Sequence, residues 1–234
     1  MLKYQQIANQ IEQFIEENQL QQGEKLPILE NLMNQYNASK STIVKALDLL
    51  EKKGIIFQVR GSGTFVRRKD RKGYISLLSN QGFKKDLDQF EITTKVMDLQ
   101  VVKPTKEVAE NLNILSDQDV YHVKRIRYIH GQTLCVEESY YNKEIVTYLN
   151  KEIVTESIFH YIQEGLGLKV GFSDMYMQMG KLNDEEARLL GLIAGEPKMS
   201  AETIFFLSSG KPFDFSKITY NYQQAQFFIQ GTNM

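Results

Sequence analysis

Three groups of residues in this chain have types and spacing that could do chemistry. The first is Gly61, Ser62, Gly63 and Thr64, inside "VRGSGTFVRRKDRKG". A Gly-x-Gly cradles a phosphate when its glycines join a strand to a helix N-terminus. Here Phe65 and Val66 follow, which favour a strand, and no Gly-Lys-Ser/Thr is present. The stretch therefore reads as a hairpin tip. Gly61 and Gly63 permit positive φ and close backbone approach, and Arg60 stands at the base. The second group is Arg125 and Arg127 in "VKRIRY". Residues two apart on a strand share a face. Two like charges there repel unless an anion sits between them, and guanidinium forks suit phosphate. The alternative is pairing with Glu138 or other acids at the surface. The third group is His122, His130, His160 and the single Cys135. These have no ligand-like spacing, so no metal site or cofactor is expected.

These residues need elements to position them. Ile7, Ile11, Phe14 and Ile15 have helical spacing over about residues 4–19. Gly23 breaks that helix, and Pro27 is placed to start a second one, "PILENLMNQY". Ser39 is a natural N-cap for a third helix, "KSTIVKALDLLEKKG", with Ile43, Ala46, Leu47 and Leu50 on one stripe. Its outward face carries Lys40, Ser41, Val44, Lys45 and Asp48. "IIFQV" and "GTFV" then read as two short strands. Helix, helix, turn, helix and hairpin is the order of a winged helix-turn-helix.

The texture changes after Lys72. "DVYHVKRIRYI" and "TLCVEESYY" read as a hairpin turning at "HGQ". "TESIFHYIQEGLG" reads as one amphipathic helix opened by Thr155 or Ser157 and closed by Gly165. "LNDEEARLLGL" reads as another, capped by Asn183 or Asp184. "SAETIFFLSSGKPFDFSKITYNY" reads as a second hairpin turning at "SSGKP". The expected class is α+β with a largely antiparallel sheet. The expected domains are residues 1–68 and 79–234, with a connector at 69–78.

Net charge over the 234 residues is −1. Its distribution is uneven: residues 39–72 hold 10 basic and 3 acidic side chains. That stretch is built to meet anions. No apolar run approaches the roughly 20 residues of a membrane span, and no secretion signal is visible. A cytoplasmic protein without a membrane partner is expected.

"YQQIANQIEQFI", "GEKLP", "ASKSTIVKALDLLEKKGII" and "RGSGTFV" resemble the DNA-binding domain of GntR-type transcription regulators. "VKRIRY" and "GQTLCVEESYY" resemble the effector-binding (UTRA) domain of the HutC subfamily, which is similar in fold to chorismate lyase. The resemblance implies double-stranded operator DNA as a partner. It would be contacted by Ser39, Lys40, Ser41, Thr42, Val44, Lys45, Arg60, Gly61, Ser62, Gly63 and Thr64. The chain departs from the family pattern at Ile28, Leu29 and Glu30. It also has Lys40 and Val44 where the family usually carries Arg. Arg reads guanine bidentately whereas Lys binds less specifically, and Val44 suits a thymine methyl, so the operator is expected to differ from the family's common one.

In the second domain the resemblance implies an effector site at Arg125, Arg127, Glu137, Ser157, Asp214 and Tyr220. The arginines would hold a phosphate and Glu137 a sugar's hydroxyls. Asp214 replaces the usual Glu and shortens the reach by one methylene. Lys84 and Lys85 lie where such domains place another ligand loop. The expected function is a homodimeric regulator, a repressor released from its operator by a small phosphorylated metabolite such as a sugar phosphate. It is not expected to be an enzyme. The competing readings are a chorismate-lyase-like or phosphosugar enzyme using Glu137 and Asp214 as acid and base, a regulator sensing a non-phosphorylated ligand, and an architectural DNA-binding protein.

Overall fold

The structure is a computed structural model that describes residues 2–67, 73–77 and 90–229. They fall into two compact units, one ending at residue 67 and one running from 73 to 229. Lys84, Lys85 and half of the expected connector lie outside the described residues.

The first unit has three helices, α1 (Lys3–Glu17), α2 (Leu29–Gln35) and α3 (Lys40–Lys52), then β1 (Ile56–Val59) and β2 (Gly63–Val66). Ile7, Ala8, Ile11 and Ile15 form the buried stripe of α1, with Phe14 at its edge. They pack on Leu32 of α2, on Ile43, Ala46, Leu47 and Leu50 of α3, and on Ile56 and Val66 of the hairpin. Fully burying each of the Ile, Leu and Val side chains contributes about 1.5–3 kcal/mol. Pro27 does not open α2, whose N-cap is Ile28; the extended backbone there delays the first helical residue by two positions, to Leu29. Ser39 caps α3, its Oγ accepting from the Thr42 N–H at 3.4 Å. The "GEKLP" segment joins the hairpin as a third edge. Gly23 N–H donates to the Val66 carbonyl, Val66 N–H to Glu24, and Leu26 N–H to Thr64.

The second unit is built on a six-stranded sheet ordered β4-β5-β6-β9-β8-β7, every pair antiparallel. The strands are β4 (Ile92–Val102), β5 (Val120–Ile129), β6 (Gln132–Asn142), β7 (Val170–Lys181), β8 (Pro197–Leu207) and β9 (Pro212–Tyr220). Two short strands, β3 (Ile75–Ser76) and β10 (Phe227–Phe228), pair in parallel beside it. The β5–β6 hairpin turns on His130 and Gly131, whose φ values are 48° and 77°. Both central residues in the left-handed region suit the right-handed twist of the strands.

Two residues into β6 the register slips. Tyr128 faces Thr133, but Arg127 faces Cys135, which leaves Leu134 as the extra residue of a bulge. Asn221 holds it: its backbone N–H donates to the Leu134 carbonyl and its side-chain amide to the Thr133 carbonyl, both at 2.9 Å.

The helices are short. α4 (Lys106–Leu112) packs Val108 and Leu112 against Val120 and Phe215 on one face of the sheet. On the other face, α5 (Lys151–Thr155) and α6 (Ile158–His160) lie over Tyr121, Val123, Tyr141 and Phe213. α7 (Asp184–Leu190) has the expected Asn183 cap, with Glu186 completing a capping box. The single helix expected over 155–165 is instead two. Asn150 caps α5 and Ser157 caps α6, and Ser157's extended backbone (φ −132°) breaks the run. Thr155 ends the first helix rather than opening the second. After α6 the chain widens into a π-turn at Tyr161–Gly165.

Candidate functional site: a DNA-facing helix and wing, and a buried arginine pair

On the first unit, Lys40, Ser41, Val44, Lys45 and Asp48 are all exposed along α3. Val44 is 38% exposed, so it is not a core residue. Ser39 and Thr42 hydroxyls lie 2.9 Å apart beside the cap. Arg60, Gly61 and Ser62 form the exposed hairpin tip. Gly61 has φ 79° with open space around it. Gly63 has φ 125°, and an added Cβ would lie 2.5 Å from Lys25 Cε. The glycines serve the turn and a close approach, not a phosphate loop. The wing is fixed to the helix by Gln58, whose N–H donates to Glu51 Oε1 at 2.8 Å and whose amide donates to Glu51 Oε2 and Asp48. Asp48, the acid on the outward face, is thereby drawn toward the wing.

On the second unit the sequence-derived residues converge, with one exception. Arg125 and Arg127 share a face of β5 and are 2% and 8% exposed. The anion between them is Glu137. Arg125 Nη2 donates to Glu137 Oε1 at 2.6 Å, and Arg127 Nε donates to Oε2 at 3.0 Å. Arg125 Nη1 also donates to the Val154 carbonyl at the end of α5, at 2.9 Å. Glu138, one residue on, points to the opposite face. It binds His122 Nε2 at 2.8 Å, and His122 Nδ1 binds Asp98 at 2.9 Å. The surface pairing of the arginines with Glu138 is therefore overturned, because strand alternation puts them on opposite sides.

Asp214 on β9 is fully buried and joins the same layer. Ser216 Oγ donates to Asp214 Oδ1 at 2.6 Å, Ser139 and Ser216 hydroxyls are 2.7 Å apart, and Ser139 Oγ donates to Glu137 Oε1 at 3.2 Å. A chain of short polar contacts thus links Glu137 to Asp214. Among the described residues, Asp214 Oδ2, Arg125 Nε and the Tyr141 and Thr203 hydroxyls find no hydrogen-bond partner.

The electrostatics divide the two acids. Burial alone would push Glu137 up, but the charges of Arg125 and Arg127 hold it down at about 2. Burial raises Asp214 to about 8; the Ser216 hydrogen bond opposes this, the Glu137 charge adds to it, and Arg125 opposes it. At neutral pH the layer holds two guanidinium ions, one carboxylate and one carboxylic acid, a net charge of one positive unit. Glu137 is accordingly a weak base, locked on two cations. The Cys135 thiol, pushed up to about 12 chiefly by burial, is inert.

A cavity of about 60 Å³ opens onto this layer. Arg125, Arg127, Glu137, Asp214 and Ser157 line it, with Phe159 and Phe205 supplying aromatic surface. Ser157 caps α6 by accepting from the His160 N–H at 3.3 Å, and His160 itself is exposed. Tyr220 is the exception. It shares the β9 face with Asp214 but lies six residues along, roughly 20 Å at strand rise, where its ring meets Phe227 edge-on. Ile218 lines the cavity instead. Sequence reasoning missed Ser139, Ser216 and Ile218. Two-residue steps from Glu137 and Asp214 reach all three.

The arrangement of the first unit is that of a DNA-binding winged helix, and that of the second an effector-binding module on an antiparallel sheet. Two family models match the chain accordingly: "Bacterial regulatory proteins, gntR family" over residues 3–66, and "UTRA domain" over residues 88–226. The chain belongs to the GntR family of transcription regulators and carries a UTRA domain. It is similar to the uncharacterized HTH-type transcriptional regulator YydK of Bacillus subtilis (strain 168), 68% identical over all of this chain and 99% of that one. The crystal structure of YydK, described as a possible transcriptional regulator, superposes with a TM-score of 0.89 at 66% identity, covering 99% of this chain and 100% of that one. The mannosyl-D-glycerate transport/metabolism system repressor MngR of Escherichia coli (strain K12) is 25% identical over 97% of this chain and 94% of its own.

Proposed function

We propose that the protein is a homodimeric repressor of a two-fold operator, released by a small phosphorylated metabolite of the sugar-phosphate class. The observation that carries the reading is the buried arginine pair with only one ionised carboxylate between its members. A buried excess of positive charge is costly unless an anion meets it. A phosphate placed on Arg125 and Arg127 would free Glu137 to accept from the ligand's hydroxyls. Protonated Asp214 and Ser157 would complete the polar ring, and Phe159 and Phe205 would flank the sugar. MngR is the repressor of a mannosyl-D-glycerate transport/metabolism system, which supports a sugar-derived ligand.

A cavity of about 60 Å³ is too small for such a ligand, since ligand pockets run to about 300–1,000 Å³. The segment carrying Glu156, Ser157 and Ile158 would have to move away from the sheet on binding. Moving it also breaks the Arg125 contact to the Val154 carbonyl, so ligand chemistry is tied to helix position. Residues 69–78 would pass this change to residues 1–68, where operator contact is made by the residues of α3 and the wing. A ligand that prefers the non-binding state lowers operator affinity by its differential affinity, usually about 1–3 kcal/mol or 5- to 150-fold.

The test is operator release. Sugar phosphates and their parent sugars are titrated against the protein–DNA complex, in wild type and in Arg127→Ala. Release of the wild type by a sugar phosphate alone, with the variant bound but unresponsive, is the expected result. Equal release of both proteins at the same ligand concentration would place the anion site elsewhere.

A further inference from the structure

The "GEKLP" segment brings a lysine to the tip of the wing. The segment runs antiparallel beside β2, with Lys25 opposite Phe65. Hydrogen bonds fix its backbone on both sides of Lys25: Val66 N–H donates to the Glu24 carbonyl at 2.8 Å, and Leu26 N–H to the Thr64 carbonyl at 2.9 Å. Successive residues of an extended segment point to opposite faces. Leu26 is buried in the core, so Lys25 is turned outward and is exposed. Opposed residues share a face, as do residues two apart on one strand. Lys25 therefore shares its face with Phe65 and Gly63.

The Lys25 side chain follows that face toward the tip. Its Nζ lies 6.0 Å from the centre of the Phe65 ring, which is itself stacked on Phe57 at 5.4 Å. Its Cε lies 2.5 Å, and its Nζ 3.3 Å, from the point where a Cβ on Gly63 would stand. Gly61 has open space around it and no such neighbour. Gly63 thus clears a path for a lysine. Two other lysines of this unit are engaged within it. Lys3 donates to the Asn37 carbonyl at 2.7 Å, and Lys53 pairs with Glu12 at 3.1 Å. Among the described residues no carboxylate pairs with Lys25. The adjacent Glu24 instead accepts from the Gln21 N–H at 2.7 Å.

We propose that Lys25 is a DNA-phosphate contact of the wing, laid across Gly63 from the segment beside β2. The proposal rests on the reading of the first unit as a DNA-binding winged helix. β2 lies between β1 and this segment. Arg60, at the end of β1, and Lys25 therefore approach the tip from opposite sides. A small tip with a cation on either side suits a minor groove about 6 Å wide, edged by two rows of phosphates. Lysine is a compact point charge that meets phosphate without reading bases. Lys25 adds affinity and fixes the seat of the wing, with no sequence preference of its own. It stands outside the basic stretch of residues 39–72, so the DNA-facing charge is drawn from two parts of the chain. The competing role is packing, in which a lysine stem covers apolar surface while its charge stays in water. Substitution separates the stem from the charge.

The test uses the full chain and mixed-sequence duplex DNA, because phosphate contacts are independent of sequence. Affinity is measured at several salt concentrations. Lys25→Met keeps a stem on Phe65 and removes the charge. It should lower the slope of log affinity against log salt by about 0.9 for each chain bound, and weaken binding roughly fivefold to tenfold at about 0.1 M salt, with thermal unfolding unchanged. Lys25→Arg should recover the slope. Gly63→Ala should turn the flexible end of Lys25 aside, so it should weaken binding more in the wild-type background than in the Lys25→Met background. The strain at a φ of 125° is common to both backgrounds and cancels. A Lys25→Met protein with wild-type slope and affinity overturns the contact. So does a Lys25→Arg protein that falls as far as Lys25→Met, and so do equal losses from Gly63→Ala in both backgrounds. A wild-type protein whose duplex affinity does not change with salt overturns the DNA-binding reading as well.

Discussion

Replacing Asp214 by asparagine isolates the charge of the buried layer. The amide copies the shape of a protonated carboxyl, and its oxygen can still accept from Ser216 at the 2.6 Å contact. In the folded protein Asp214 is held up at about 8, first by burial and then by Glu137. In the unfolded chain it titrates near 3.9. The folded state therefore binds one more proton than the unfolded state between about pH 4 and 8. Stability from this group is fully present below the unfolded value and is lost as pH rises through the folded one. The rate of loss is about 1.4 kcal/mol per pH unit, on the order of 5 kcal/mol across the window. The amide of the variant has no such titration. The unfolding free energy of Asp214→Asn minus that of wild type should rise with that slope from pH 5 to 8 and then flatten. For a unit of this size that is roughly 3–6 °C in relative Tm per pH unit. Calorimetry of the two proteins over pH 5–9 reads it, and the other titrating groups cancel in the difference. A difference that stays flat from pH 5 to 8 would show that Asp214 is ionised in the fold. The net positive charge assigned to the layer would then be wrong.

Four further outcomes follow from named contacts. Ser39→Ala removes the cap of α3 and should cost about 0.5–2 kcal/mol in thermal or denaturant unfolding. Lys45→Ala and Arg60→Ala should each weaken operator binding and reduce the salt slope by about one unit if the contact is to phosphate; titration at several salt concentrations reads this, and unchanged slopes would take both residues out of the interface. Gly63→Val forces a side chain onto Lys25 at a φ of 125°, so operator affinity should fall while effector-induced thermal shift is kept. Asn221→Ala removes the side-chain hydrogen bond to the Thr133 carbonyl, and should cost about 1–3 kcal/mol and weaken effector response with it.

The winged unit was legible because its signals are local. Ile7, Ile11 and Ile15 recur at helical spacing, Ser39 has the chemistry of a cap, and Gly61 and Gly63 bracket a tip that only small residues tolerate. Ser157 was legible for the same reason. The helix it caps was misjudged in length, because a second cap, Asn150, starts its own turn seven residues earlier. Tyr220 was placed at the site by family pattern. Strand rise carries it too far from Asp214 to share a ligand's head group.

The identity of the arginines' partner was the part that no local signal could give. The turn at His130 and Gly131 is easily read, and an unbroken ladder from it would set Arg125 opposite Val136 and Arg127 opposite Leu134. Glu137 would then stand on the other face, and Glu138, opposite Val123, would be the acid on the arginines' face. The bulge at Leu134 shifts the pairing by one, sets Arg125 opposite Glu137, and moves every later residue of β6 to the opposite face. Ser139 reaches Ser216 by the same shift. That bulge is held by Asn221, a residue some 87 positions away in sequence from Leu134 and just past the end of β9. The buried arginine layer is thus specified by a long-range contact acting on register, while each of its side chains is specified locally.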